Sequence, residues 1–265
     1  MSHTYTRVPD PNLNPNKPTR SADIKQIRDN QDEFDEGLTA LEAGTLHSDQ
    51  GIYDDFNQAD TTPLATNWTT VVNGAGSAVA VNATTGALEC TITNGVADRY
   101  AGVIGPTTKM RLDKAQEFIA VATFRLKRST DDNSHYAFGW NDAALSAGNQ
   151  FSDTTDCILC IRDALGGWTL TVNLGGSGSS VQSSAADAEV YNEIQIRWTG
   201  SATAGTRRVS LYTNGTLDGS VTSDSSMPTA VMRPTIGVRG DVTGAGRLLY
   251  MDSAKYGFIS APRAA

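Results

Sequence analysis

The feature that most constrains this chain is a strict alternation of apolar and polar residues, repeated along the sequence from residue 52 onward. Phe118, Ala120, Ala122, Phe124 and Leu126 share one parity, with Thr123, Arg125 and Lys127 on the other. Ile194, Ile196 and Trp198 oppose Glu193, Gln195 and Arg197, and Trp168, Leu170, Val172 and Leu174 oppose Thr169, Thr171 and Asn173. Side chains on a strand point alternately to opposite faces, so this pattern describes strands with one buried side. The strands predicted this way are Ile52–Phe56, Thr66–Val72, Ala78–Val81, Ala87–Thr93, Arg99–Ile104, Phe118–Lys127, Tyr136–Trp140, Asp156–Arg162, Trp168–Leu174, Tyr191–Thr199, Arg207–Thr213, Thr235–Arg239 and Arg247–Phe258. Turn signals punctuate them at Thr84-Thr85-Gly86, Gly166-Gly167, Gly175-Gly176, Asn214-Gly215 and Asp218-Gly219. Asn214-Gly215 between two strand-like runs predicts a hairpin. No helical period follows Gly44, and no short repeat points to a propeller or β-helix. The expectation is a mainly β chain, an antiparallel jelly-roll β-sandwich over residues 52–265.

Ahead of the strands lie two unlike segments. Residues 1–20 carry Pro9, Pro11, Pro15 and Pro18 with asparagines between them, which forbids a helix and breaks a strand ladder. They read as an extended arm. Its cations Arg7, Lys17 and Arg20, together with Pro9, Pro11, Pro15 and Pro18, suit an anchor laid on an acidic partner surface. Residues 21–44 read as one short coiled-coil-type helix, with Ser21 as N-cap and Gly44 just past the end. With Ile24 at heptad position a, the a and d positions are Ile24, Ile27, Gln31, Phe34, Leu38 and Leu41. A stripe this narrow suits a seam between helices.

That helix is poorly made to stand alone. Six carboxylates crowd its C-terminal half from Asp29 to Glu42 with no Lys or Arg among them, against the macrodipole. Gly37 in its interior costs about 1 kcal/mol relative to Ala. It therefore needs a partner: a self-associating bundle, read as a homotrimer, another protein, or its own β domain. In a parallel bundle Asp23 faces Arg28 of a neighbouring copy, and Gln31 supplies a register-fixing polar layer. Residues 45–51 are a linker.

Composition closes off several functions. The formal net charge is −8, which argues against nucleic acid as a partner. No stretch approaches the roughly 18 apolar residues of a membrane span, so no membrane insertion is expected. The opening MSHTYTRVPD has no apolar signal core, so the expectation is a protein made in a cytoplasm. Cys157 and Cys160 form a CxxC within strand sequence, where residues three apart point to opposite faces. They are expected to be reduced, buried thiols, like Cys90.

Retaining glycosidase chemistry needs two carboxyls about 5 Å apart. Glu193 and Glu117 each stand alone on or beside a strand, so no catalytic residue is assigned. Of His3, His47 and His135 only the last falls in the β region, which leaves no histidine cage or triad there. No cofactor is assigned. Asp131-Asp132-Asn133 and Asp252 are the acids with oxygen chemistry suited to Ca²⁺, without an EF-hand loop, and solvated acids are the simpler reading. Gly175 to Ser180 lacks the lysine and helix of a phosphate loop and reads as a flexible loop. Tyr136, Trp140 and Trp168 are the candidate aromatic platforms for a glycan, whereas Trp68 and Trp198 read as core.

Two stretches carry resemblances. Asp54-Asp55-Phe56-Asn57-Gln58-Ala59-Asp60 followed by Asn67-Trp68, then Tyr191 to Trp198, Val209 to Gly215, and Met251-Asp252 before a closing strand, resemble laminin-G and concanavalin A-like sandwich domains over roughly residues 52–260. Gln58 stands where that opening usually has Arg. Asn16 to Ile24, then Ile27 to Asn30 and Glu36-Gly37, is similar to a short leader of tailed-bacteriophage virion proteins. The leader implies a structural protein of the virion, a fibre or capsid decoration joined to head or tail proteins through residues 1–44. The sandwich is then displayed toward host-surface carbohydrate. A capsid cement protein and a glycan-cleaving depolymerase are the alternatives.

Overall fold

The computed structural model describes residues 52–54, 56, 68–82, 84, 86–92, 99–105, 118–128, 134–142, 156–162, 167–184, 190–228, 232–240 and 247–260. The chain divides into two units, Met1–Thr45 and Leu46–Ala265, and the described residues all belong to the second. The arm, the helix with its heptad positions, the acids Asp131-Asp132-Asn133 and Glu117 lie outside the described residues.

Fifteen strands are described: β1 (Ile52–Asp54), β2 (Thr69–Asn73), β3 (Ser77–Asn82), β4 (Ala87–Ile92), β5 (Tyr100–Ile104), β6 (Phe118–Arg128), β7 (Ser134–Asn141), β8 (Cys157–Arg162), β9 (Trp168–Leu174), β10 (Ser177–Gln182), β11 (Asn192–Gly200), β12 (Arg208–Thr213), β13 (Thr216–Val221), β14 (Arg233–Gly240) and β15 (Arg247–Ser260). A single 3-10 turn, Asp224–Ser226, is the only helical element among the described residues. The strands form two antiparallel sheets. The eight-stranded sheet runs β13-β12-β11-β6-β15-β4-β3, with β1 also on β15, and the seven-stranded sheet runs β10-β9-β8-β7-β14-β5-β2. The expected antiparallel sandwich is what the chain forms.

The core lies between the sheets, as the alternation requires. Phe124 of the eight-stranded sheet meets Phe138 of the other at 4.6 Å between ring centroids. Tyr256 on β15 sits among Trp68, Phe124 and Trp140, all within 5.9 Å. Its hydroxyl donates across the sandwich to the Thr235 carbonyl on β14 at 3.2 Å. Burial holds that phenol well above its ordinary range. Trp68 and Trp198 are core residues, as expected from the sequence.

Two strands escape the sequence reading. Gly175 to Ser180, expected as a flexible loop, is a two-residue turn running into β10, which pairs residue for residue with β9. Gly175 and Gly176 both have positive φ, the signature of the twisted hairpin turn. Asp218-Gly219, expected as a turn, lies inside β13. That strand follows the Asn214-Gly215 turn, whose residues also have positive φ, as the hairpin expectation required. Both missed strands are sheet edges, SGSSVQ and TLDGSV, with little of the β-branched and apolar content that marks interior strands. Their pairing is supplied by the hairpin partner.

Both of these edges are also where the two sheets are clasped. A bulge in the β12–β13 ladder, between Leu211 and Tyr212, leaves Asp218 without a partner across the ladder. A bulge re-aims the side chain it carries. Asp218 accepts from Thr213 at 2.5 Å and from Ser184, just beyond β10, at 2.5 Å, while the Ser183 and Thr213 hydroxyls meet at 2.6 Å.

Candidate functional site

The seven-stranded sheet is buried on both sides over its middle. Tyr136, Phe138 and Trp140 of β7 face the core, yet Ala137, which points the other way, is also fully buried. It packs with Ile104 against Val71, Tyr100 and Ile161 in a second apolar cluster. Tyr136, Trp140 and Trp168 are therefore corrected: at 0%, 0% and 3% exposure they are core side chains and offer no ring to a sugar. Their parity puts them between the sheets, where Trp168 meets Phe138 edge to face at 5.0 Å between ring centroids.

The seven strands of this sheet contain no Asp or Glu. Their charged side chains are Arg162, Arg233 and Arg239, with His135 as a further titratable group. All the strand carboxylates lie in the other sheet: Asp54, Glu89, Glu193, Asp218 and Asp252. Glu193 is exposed on β11, opposite Arg125 in register.

The outer face of the eight-stranded sheet brings together residues from four distant parts of the chain. β6 pairs Lys127 with Tyr250 of β15, and β15 pairs Tyr250 with Glu89 of β4. Tyr191 lies just before β11, beside Lys127, because the next residue, Asn192, pairs with Leu126. The result is a row of Tyr191, Lys127, Tyr250 and Glu89. The Lys127 ammonium is 5.0 Å from the Tyr191 ring centre and 4.8 Å from that of Tyr250. The Arg125 guanidinium lies 5.1 Å from Tyr191. A cation over an exposed ring is worth about 0.5–1 kcal/mol.

Beside this row β15 bulges. Met251 and Ser253 pair with adjacent residues of β6, and Asp252 is left over between them. The extra residue delivers a carboxylate to Arg125 at 2.9 Å. Asn82 donates to Glu89 at 2.7 Å. The Tyr191 hydroxyl is held above its ordinary range, first by partial burial and then by the Asp252 charge, with Arg125 pulling the other way. Met251-Asp252 thus lies within the closing strand rather than before it.

Asp252, one of the acids weighed for Ca²⁺, is spent on Arg125. No group of three or more His, Cys, Asp or Glu side chains suited to a metal gathers among the described residues. All three cysteines are buried thiols outside any disulfide. Cys160 faces the core, and Cys157 is buried without joining it, as residues three apart on a strand require. No described helix is long and apolar enough to cross a membrane.

No family model matches the chain, and no curated protein does. Solved structures do. A β-1,3-1,4-glucanase (lichenase) derived from a mouse hindgut metagenome superposes with TM-score 0.55 at 10% identity, over 79% of this chain and 100% of that one. The Crh5 transglycosylase gives TM-score 0.54 at 13% identity, over 80% and 85% of the two chains. The carbohydrate recognition domain of Emp46p, in a potassium-bound form, gives 0.52 at 11%, over 78% and 98%. At such identities the likeness is one of fold: the chain has the concanavalin A-like sandwich shared by lectin and glucanase domains. A fold hosts many functions, and this one is found in both binding proteins and enzymes.

Proposed function

We propose that this chain is a non-enzymatic, glycan-binding structural protein of a tailed-phage particle. Its arm and helix attach it to head or tail, and its sandwich is displayed. The observation that carries the non-catalytic reading is the absence of any carboxylate from the strands of the seven-stranded sheet. Cleavage of a glycosidic bond uses a pair of carboxyls, one as acid and one as nucleophile or base. On the opposite sheet Asp252 is paired with Arg125 and Glu89 is held by Asn82, so each is engaged by a donor rather than facing a second carboxyl. The leader-like sequence of residues 16–37 supports attachment to a particle. Three copies at one site, and many sites on a particle, raise weak sugar contacts to useful avidity.

The test is to incubate the full chain with purified host envelope and measure both retained protein and released reducing ends. Retention without release is expected, at a level identical to that of Glu193→Gln. Release that disappears in Glu193→Gln establishes the depolymerase instead.

A further inference from the structure

The aromatic and charged row on the outer face of the eight-stranded sheet has no role in the packing between the sheets. We propose that Tyr191, Lys127 and Tyr250, with the Arg125–Asp252 pair beside them, form a binding site for a neutral, hydroxyl-rich glycan. This inference rests on the glycan-binding reading above and adds to it the place and the class of ligand.

Three independent features point to it. First, two half-buried tyrosine rings flank a single ammonium, each within 5.0 Å of it. Both lie on the solvent side of a rigid sheet, where an aromatic ring is the complement of the C–H face of a sugar. A site built on strands holds such geometry better than one built on loops.

Second, the ladder of the 14-residue strand β15 is interrupted at Asp252, and the interruption brings its carboxylate to Arg125. That pair is 56% and 31% exposed, so it adds little stability where it stands. It does place a fixed donor and a fixed acceptor side by side, beside the Tyr191 ring. A sugar hydroxyl is both donor and acceptor and can use the two together.

Third, the charges balance. Arg125, Lys127 and Lys255 are matched by Asp252, Glu89 and Glu193, so a formally charged ligand gains little net Coulomb energy here. Further along the same face Thr123 and Gln195 are joined by a hydrogen bond of 3.3 Å, with Lys255 in register beside Thr123.

The experiment titrates the full chain with a β-1,3-1,4-glucan and dextran as neutral probes and polygalacturonate as an acidic one. The variants are Tyr191→Ala, Tyr250→Ala and Asp252→Asn, with Tyr212→Ala on the same face as a control. In parallel, acetylation of Lys127 and Lys255 is followed with and without saturating glycan. The expected result is neutral-glycan binding that falls about tenfold in each tyrosine variant and not in the control, at unchanged fold by circular dichroism. Lys127 is then protected by glycan and Lys255 is not. Binding that the variants leave intact, with Lys127 unprotected, overturns the site while glycan recognition stands. Binding of polygalacturonate alone overturns the neutral class. Binding of no glycan in either class overturns the proposed function together with this inference.

Discussion

Arg207, 8% exposed just before β12, donates from Nε to the Ser201 carbonyl at 2.6 Å and forks onto both oxygens of Asp224 at 2.9 and 2.7 Å. One side chain thereby ties the β11–β12 loop to the 3-10 turn. Arg207→Ala removes the donors to that carbonyl and carboxylate and is expected to cost about 2 kcal/mol, less than for a fully buried pair because Asp224 is 37% exposed. Arg207→Lys should recover less than half of that in urea denaturation, since one ammonium cannot hold the Ser201 carbonyl and the Asp224 carboxylate from two separate nitrogens as the guanidinium does. Cys90 gives a pH signature. Burial pushes its thiol up from 9.0 to about 12, so the folded state holds the proton more tightly than the unfolded chain does. Its contribution is complete below about pH 9 and is lost as pH rises toward 12. Burial raises Cys160 in the same sense, with the Asp218 charge adding to it. The melting temperature is therefore expected to fall above pH 9. Cys90→Ala should lower the whole curve through its cavity but flatten that alkaline limb, and an unchanged slope refutes the assignment.

At the scale of elements, the pairing of β7 with β8 depends on Gly139. It sits at φ 140°, and a Cβ there would lie 2.2 Å from the Ile158 carbonyl oxygen. Backbone cannot move aside as a flexible side chain can, so Gly139→Ala should cost upwards of roughly 3 kcal/mol, read as loss of soluble protein or a sharply lower denaturation midpoint. Gly175, in the β9–β10 turn, has φ 56° but nothing within 4 Å of the position of a Cβ. Gly175→Ala should cost only about 1 kcal/mol, the conformational penalty alone. The turn glycine was legible from its Gly-Gly pair; the far more critical Gly139 was not. Its importance comes from the approach of β8, a strand that the sequence can name but not bring close.

For the whole molecule, removal of residues 1–44 should leave a folded sandwich, because the core joins residues from Ile52 to Phe258. The truncated protein is expected to keep the β-sheet circular dichroism and the melting temperature of the sandwich and to lose binding to the particle. Sedimentation should show the full chain as a trimer and the truncated chain as a monomer. A monomeric full chain at high concentration refutes the helical seam, and undiminished particle binding by the truncated chain refutes the anchor.

The sequence alone determined the β-sandwich, most of its strands, the reduced cysteines and the core positions of Trp68 and Trp198. It did so because an alternating chain has one economical way to bury one side of every strand. It did not determine which aromatics reach solvent. Parity sets Tyr136, Trp140 and Trp168 on one face of their strands, and only the packing of one sheet on the other makes that face the inside. The candidate site was equally out of reach of sequence. Arg125 and Asp252 are 127 residues apart, and Tyr191, Lys127 and Tyr250 come from three separate segments. Only strand order and register set them in one row, and only a one-residue bulge, invisible in the pattern of β15, brought the Asp252 carboxylate to Arg125.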